Sequence, residues 1–197
     1  GFLRATAAEL PGLAICQIGA NPSDNLPTLP HTRGYTQLAF HKGRIWQTAT
    51  ASAPDNSTDE PRLSVRPGLY LITGGSGGVA QSLARCILEV PGTEVILASR
   101  SGQSIAGTTG VRVDISDEND VAILAAELAG RRLAGVIHAA GVTGGGLVQL
   151  MSQDTLKATL RPKRDGAAAI LAHLAPLTDD FILFCSSLSA VVGVAGQ

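Results

Sequence analysis

The stretch Leu69-Tyr-Leu-Ile-Thr-Gly-Gly-Ser-Gly-Gly-Val-Ala80 joins an apolar run to a helical pattern through a glycine-rich turn, and those residue types in that order can hold a phosphate. Gly74, Gly75, Gly77 and Gly78 let the backbone turn tightly and approach a pyrophosphate. A helix starting near Gly77 offers unpaired N–H groups and the positive end of its dipole. Ala80 stands where such loops carry a third glycine, a position that needs only a small side chain. Glycines also end strands in proteins that bind no nucleotide, so the segments that follow decide the reading.

Val95-Ile-Leu-Ala-Ser-Arg100 is the next apolar run, and it ends in Ser99-Arg100 where a site for NAD carries an acid on the ribose hydroxyls. A guanidinium there pairs the 2′-phosphate of NADP through its planar fork of donors, which points to NADPH. The plainer alternative is a surface arginine at a strand end. Asp114, in Val111-Arg-Val-Asp-Ile-Ser-Asp117, either accepts from an adenine amino group or caps the following helix. Ser116 and Asp117 are better placed as caps, which leaves Asp114 for the cofactor. Val136-Ile-His-Ala-Ala-Gly-Val142 ends in small residues, as required where backbone lies against a ribose, although any tight strand exit has the same composition.

These groups fall at the ends of elements that the hydrophobic pattern sets out. From Gly68 onward, strands are expected over 69–73, 94–99, 111–114, 135–139 and 180–186, and helices over 77–89, 118–129 and 153–175. Continuous apolar strands separated by helices predict a parallel sheet covered on both faces, an α/β, Rossmann-like doubly wound fold. Pro162 is expected to kink or interrupt the last helix. Residues 1–66 read differently: a short helix before Pro11, a strand over 13–18 and a Pro/Asn-rich loop over 21–30. A hairpin of 36–40 and 44–50 around His41-Lys42-Gly43 and a linker over 51–67 follow.

Composition narrows the function classes. Lys and Arg number 15 against 16 Asp and Glu, and a net charge of −1 gives no basic footprint for nucleic acid or an anionic membrane. With 45% hydrophobic and 16% charged residues, the 197-residue chain suits packed α/β layers rather than disorder. Cys16, Cys86 and Cys185 are far apart, and two lie in apolar runs; they are expected to be buried free thiols of a reducing cytoplasm. No apolar run is long enough to span a bilayer, so a soluble, cytoplasmic protein is expected. His31, His41, His138 and His173 share no metal-ligand spacing with Cys or carboxylates and are expected to be structural or exposed. Because residue 1 is Gly rather than Met, the chain is expected to be part of a longer polypeptide.

Thr73-Gly-Gly-Ser-Gly-Gly78, Ser99-Arg-Ser-Gly102, His138-Ala-Ala-Gly-Val142, Arg161-Pro-Lys-Arg-Asp-Gly166 and Phe181-Ile-Leu-Phe-Cys-Ser-Ser187 stand in an order that resembles the short-chain dehydrogenase/reductase superfamily. More narrowly, the chain resembles the ketoreductase domains of type I polyketide synthases and animal-type fatty acid synthases, over residues 68–197. The resemblance implies that residues 1–66 are the C-terminal part of a smaller, cofactor-free Rossmann-like structural subdomain plus linker. Residues 67–197 are then an NADP-binding catalytic subdomain that lacks its C-terminal part.

The implied reaction is NADPH-dependent reduction of a β-ketoacyl thioester, carried on the phosphopantetheine arm of an acyl carrier protein, to the β-hydroxyacyl thioester, within a synthase that has neighbouring domains. Charge developing on the ketone oxygen calls for preorganised donors and a proton. By position, the family's carbonyl-holding Ser falls on Ser187 and its Lys on Lys163. The implied cofactor set is Gly74, Gly75, Ser76, Gly77, Gly78, Val79, Ser99, Arg100, Asp114, Ile115, Ala139, Ala140, Gly141 and Lys163; no metal is implied. The plainer alternatives are that Ser186, Ser187 and Ser189 end a strand and bond its backbone, and that Lys163 is a solvated helix charge beside Arg161 and Arg164.

The family's Tyr acid and its Asn fall beyond Gln197, and neither Tyr35 nor Tyr70 can stand in for the Tyr. A 197-residue molecule is therefore expected to lack useful turnover, whereas a longer parent has room for the missing Tyr and Asn, and its activity is left open by the sequence. Thr143-Gly144-Gly145 occupies the place of the family's Leu-Asp-Asp, and Val192 that of the Trp of the opposite stereochemical class, so neither fingerprint of product configuration is present. Two other functions compete: a catalytically inactive, ketoreductase-like structural or docking domain of a synthase, and a free-standing short-chain reductase. The hairpin and linker ahead of the fold argue against the second. A serine hydrolase would need a Gly-x-Ser-x-Gly elbow around Ser187, and the sequence has none there.

Overall fold

A computed structural model of the chain describes residues 2–21, 23–26, 28, 34–49, 51–52, 64–142 and 146–191. It divides into two compact units: Gly1–Glu60 with Gly145–Met151 and Ser187–Gln197, and Pro61–Gly144 with Ser152–Ser186. His31, the segment Thr143-Gly144-Gly145, Val192 and most of the expected linker lie outside the described residues.

The first unit holds α1 (Phe2–Glu9), β1 (Ile15–Gly19), β2 (Tyr35–His41) and β3 (Arg44–Gln47). β2 pairs in parallel with β1 and antiparallel with β3. Lys42 and Gly43, at φ 50° and 75°, form the two-residue turn whose twist suits a hairpin. The second strand of that hairpin stops at Gln47, short of the expected Thr50. Arg4 fastens α1 to this sheet, donating to the Gln37 side chain at 2.6 Å while its guanidinium lies 4.7 Å from the centre of the Tyr35 ring.

The second unit follows the order β4 (Gly68–Thr73), α2 (Gly78–Leu88), β5 (Thr93–Ser99), β6 (Thr108–Arg112), α3 (Glu118–Glu127), β7 (Leu133–His138), α4 (Gln153–Ala169) and β8 (Thr178–Phe184). Its strands form one parallel sheet, β6-β5-β4-β7-β8, whose order reverses beside β4. Alternation along the strands explains the two covered faces. Tyr70, Ile72, Val95 and Leu97 pack with Ala80, Ala84 and Ile87 of α2. Leu69, Leu71, Ile96 and Val136 point the other way, toward Val121 and Leu124 of α3 and Ile170 and Leu174 beyond α4. Tyr70 is wholly buried, and its hydroxyl donates to Arg66 O at 2.9 Å and accepts from Arg66 N at 3.0 Å, which removes the cost of sinking a phenol in the core.

Three expectations need correction. β6 begins at Thr108 and ends at Arg112, so Asp114 lies in the loop beyond it rather than on the strand. Pro162 does not interrupt the last helix: α4 runs through it to Ala169, and the irregularity comes later, as a π turn over Ile170–Leu174 and a 3-10 turn over Ala175–Leu177. The cysteines are not buried: Cys86 and Cys185 are exposed and Cys16 is half-buried, because Cys86 sits on the face of α2 away from Ala84 and Ile87, and Cys185 follows the edge strand β8.

α3 starts as its sequence predicts, with the Asp117 carboxylate accepting from Asn119 N at 2.9 Å. Replacing Asp117 with Ala is expected to lower folding stability by about 1 kcal/mol, read from urea unfolding.

Candidate functional site

The turn between β4 and α2 is set by Gly74, whose φ of 77° only glycine takes without strain. Space is as decisive: a Cβ on Gly74 would stand 2.7 Å from Ala139 O and 2.8 Å from Ala140 Cα. Two backbone bonds lock the turn, Gly75 N to Ala98 O at 3.1 Å and Gly77 N to Gly74 O at 2.8 Å. Those two amides are thereby engaged, one with β5 and one within the turn. The amides available to an anion are therefore those opening α2, whose first turn carries no acidic residue to compete.

Next to this turn, across the carboxyl ends of β4, β5 and β7, lies a cleft of about 320 Å³. Of the expected cofactor residues, Gly74, Ser76, Gly77, Ser99, Arg100, Asp114, Ile115, Ala139, Ala140 and Gly141 line it. Gly75, Gly78, Val79 and Lys163 are not part of that lining: Gly75 faces Leu97, Val79 is 61% exposed, and Lys163 lies behind Gly141, its Cε 3.9 Å from where a Cβ on that glycine would be. Ala158, Arg161 and Pro162 of α4 form part of the wall and were not anticipated. Arg161 was legible in principle, since it lies in the same motif as Lys163.

Ser99 is buried at the end of β5, and its hydroxyl accepts from Gly102 N at 3.1 Å, which shapes the turn that carries Arg100. Arg100 itself is exposed and enters no ion pair among the described residues. Asp114 does not cap α3, a role that Asp117 takes. Asp114 lines the cleft, while its carboxylate accepts from Ser116 N at 2.9 Å and holds the loop that leads into α3. Ser187 belongs to the first compact unit, where its oxygen accepts from Ser189 N at 3.2 Å and opens the 3-10 turn Leu188–Ala190.

His138, the last residue of β7, is buried between Thr73 and the carbonyl of Pro162. Burial pushes its imidazole below the usual 6.5, partly offset by the bond to Pro162. The unfolded chain thus takes up this proton first. The stability that the neutral ring contributes is complete above the unfolded value and declines as pH falls toward the lower folded value. Urea midpoints measured between about pH 8 and pH 5 are expected to fall on acidification, with this part of the slope absent in His138→Phe. Cys185 shifts the other way: although the residue is exposed, desolvation of its thiol by neighbouring atoms pushes it up. His173 is exposed enough to reach Glu118 at 3.1 Å.

Comparison with known proteins gives the family of the chain. The family model described as KR domain matches residues 68–197. The chain belongs to the KR domain family. Polyketide synthase GfsA of Streptomyces halstedii is 30% identical over 100% of the chain, which spans 3% of that protein. PlmKR1, the ketoreductase from the first module of phoslactomycin biosynthesis in Streptomyces sp. HK803, is 30% identical with a TM-score of 0.65, over 82% of this chain and 40% of that one. A structure of A-type ketoreductases from a modular polyketide synthase gives 30% identity and a TM-score of 0.69, over 82% of this chain and 37% of that one. This KR domain has the Rossmann-like α/β fold of the short-chain dehydrogenase/reductase superfamily and is related to the ketoreductases of modular polyketide synthases, which are oxidoreductases. It spans between 3% and 11% of the length of the curated relatives it matches. Among the described residues, no helix is long and apolar enough to cross a membrane.

Proposed function

We propose that this KR domain serves NADPH-dependent reduction of a β-ketoacyl thioester, presented by an acyl carrier protein, to the β-hydroxyacyl thioester within a polyketide synthase. Residues 67–197 would be its nucleotide-binding and catalytic part, and residues 1–66 the end of a structural subdomain with its linker. The observation that carries this reading is Arg100, a guanidinium without an acidic partner among the described residues, on the rim of a cleft that begins at a glycine turn and holds no carboxylate at the tip of β5. The residues fit the cofactor: Gly74 excludes any side chain beside Ala139, α2 opens without an acid, and the walls at Ala139, Ala140 and Gly141 are small enough for a ribose to lie against backbone.

When bound, NADPH supplies the hydride that reduces the ketone carbon. The chain's own residues bind, orient and stabilise. Arg100 pairs the 2′-phosphate, and the amides opening α2 meet the pyrophosphate. Asp114 is the acceptor at the adenine end. Lys163, behind Gly141, places a positive charge near the reacting end, where it favours the developing alkoxide and the deprotonated form of a neighbouring acid. Ser187, by its place in the family motif, donates its O–H to the carbonyl oxygen.

The test is turnover of a β-ketoacyl thioester by the full-length parent protein, followed by loss of NADPH and by product mass. Consumption of NADPH with formation of the β-hydroxy product supports the reading, and Lys163→Ala and Ser187→Ala are each expected to lower kcat by two orders of magnitude or so. Tight NADPH binding without any reduction would favour a docking or structural role instead.

A further inference from the structure

The imidazole of His138 stands where three elements of the second unit meet. β4 and β7 pair Thr73 directly with His138, and His138 Nδ1 lies 2.7 Å from Thr73 Oγ1. On its other side, Nε2 lies 3.0 Å from the carbonyl oxygen of Pro162 on α4. A peptide carbonyl can only accept, so Nε2 carries the hydrogen, and the bare Nδ1 takes the Thr73 hydroxyl as its donor. The ring of Phe184 on β8 meets the imidazole edge-on at 5.8 Å. Both ring nitrogens are thereby used, and the ring is fixed in one orientation and one tautomer.

Its partners are the two residues that flank the site. Thr73 immediately precedes Gly74 of the phosphate turn, and Pro162 immediately precedes Lys163 while itself lining the cleft. Proline has no N–H to give the carbonyl one helical turn earlier, and its ring crowds that carbonyl, so α4 is least held by its own hydrogen bonds at this level. An external tie on Pro162 matters most at such a point. The helix also comes close enough to use it only because residue 166 is glycine: a Cβ there would stand 3.2 Å from His138 Cε1 and 3.3 Å from Ile115 O. An apolar side chain would fill this space without the desolvation cost of a buried imidazole. A polar ring at this point serves geometry rather than volume.

We propose that His138 is the positioning residue for Lys163: its Nε2–H bond to Pro162 sets α4 against the turn after β4 and thereby fixes where the Lys163 ammonium is presented behind Gly141. The consequence for reduction rests on the function proposed above for Lys163. The placement itself does not, and the experiment separates them.

The primary measurement is competitive acylation of the full-length parent protein with acetic anhydride, reading labelling of Lys163 against Lys157 on the same helix by mass spectrometry. In His138→Phe, which keeps a planar ring, somewhat larger than the imidazole, and loses both bonds, the Lys163/Lys157 ratio is expected to change by about threefold or more, the size of effect one net hydrogen bond supports. His138→Gln keeps a donor and an acceptor and is expected to restore the ratio. Gly166→Ala, which pushes the helix off an intact ring, is expected to shift the ratio in the direction of His138→Phe, and it serves alone if the Phe variant does not fold. A ratio unchanged in both His138→Phe and Gly166→Ala overturns the proposal, as does a shift that Gln fails to restore. NADPH turnover is read in parallel: a shifted ratio with unchanged kcat supports the placement and counts against the role given to Lys163, whereas a fall in kcat with an unchanged ratio refutes positioning by His138.

Discussion

Replacing Arg100 with Ala is expected to weaken NADPH binding by about tenfold to a hundredfold and to leave NADH binding within about twofold, in fluorescence titrations of the parent protein. The asymmetry follows from where the guanidinium stands. It lies on the rim of the cleft at the tip of β5, beyond a buried Ser99 whose bond to Gly102 N shapes the turn. Only the 2′-phosphate distinguishes the two cofactors, so only its partner should move one affinity and not the other. Because Arg100 is exposed, water screens the pair, and the lower part of that range is the better guide. Raising salt should narrow the gap between the wild-type protein and the variant for the same reason. Equal losses for both cofactors would mean that Arg100 meets the pyrophosphate instead, and no loss for either would remove it from the site.

The central strands were legible because burial on both faces leaves an unbroken apolar run: Tyr70, Leu71 and Ile72 are fully buried, and β4, β5 and β7 fall close to where they were expected. Edge elements were harder. β6 is Thr-Thr-Gly-Val-Arg, half-exposed along its length, whereas the more apolar Val113 and Ile115 after it fill the core from a loop, Val113 N bonding Ser99 O at 2.9 Å. The glycine turn announced itself by composition, yet composition could not say which amides it keeps for its own closure. Arg161 and His138 show a different limit. Their importance comes from what faces them across the fold, the cleft wall in one case and Thr73 with Pro162 in the other. Such pairs are distant along the chain, and although Arg161 and His138 each lie in a motif, the motif does not say what they face.

Gly74→Ala is expected to lower folding stability by about 2–5 kcal/mol. Two costs add. The residue must hold a φ of 77°, in the left-handed region that a side chain disfavours, and its new Cβ must enter space 2.7 Å from Ala139 O and 2.8 Å from Ala139 C and Ala140 Cα. Those neighbours are backbone atoms at the exit of β7, where Ala139 N already bonds Thr73 O at 3.3 Å, so they cannot swing aside as a flexible side chain would. The turn would have to open, parting β4 from β7 at the point where the cleft begins. Against a typical domain stability of about 5–15 kcal/mol, a loss of this size leaves a large unfolded fraction in mild urea. Gly78→Ala makes the matched control. It stands at the first position of α2 with nothing within 4 Å of the new methyl, and the change is expected to raise stability by up to about 1 kcal/mol through helix propensity. Urea midpoints moving in opposite directions would show that the turn is built by steric exclusion at Gly74. A shared fall of similar size would show instead that the whole glycine run is merely intolerant of bulk, and would leave the close approach of Gly74 to Ala139 without a structural role.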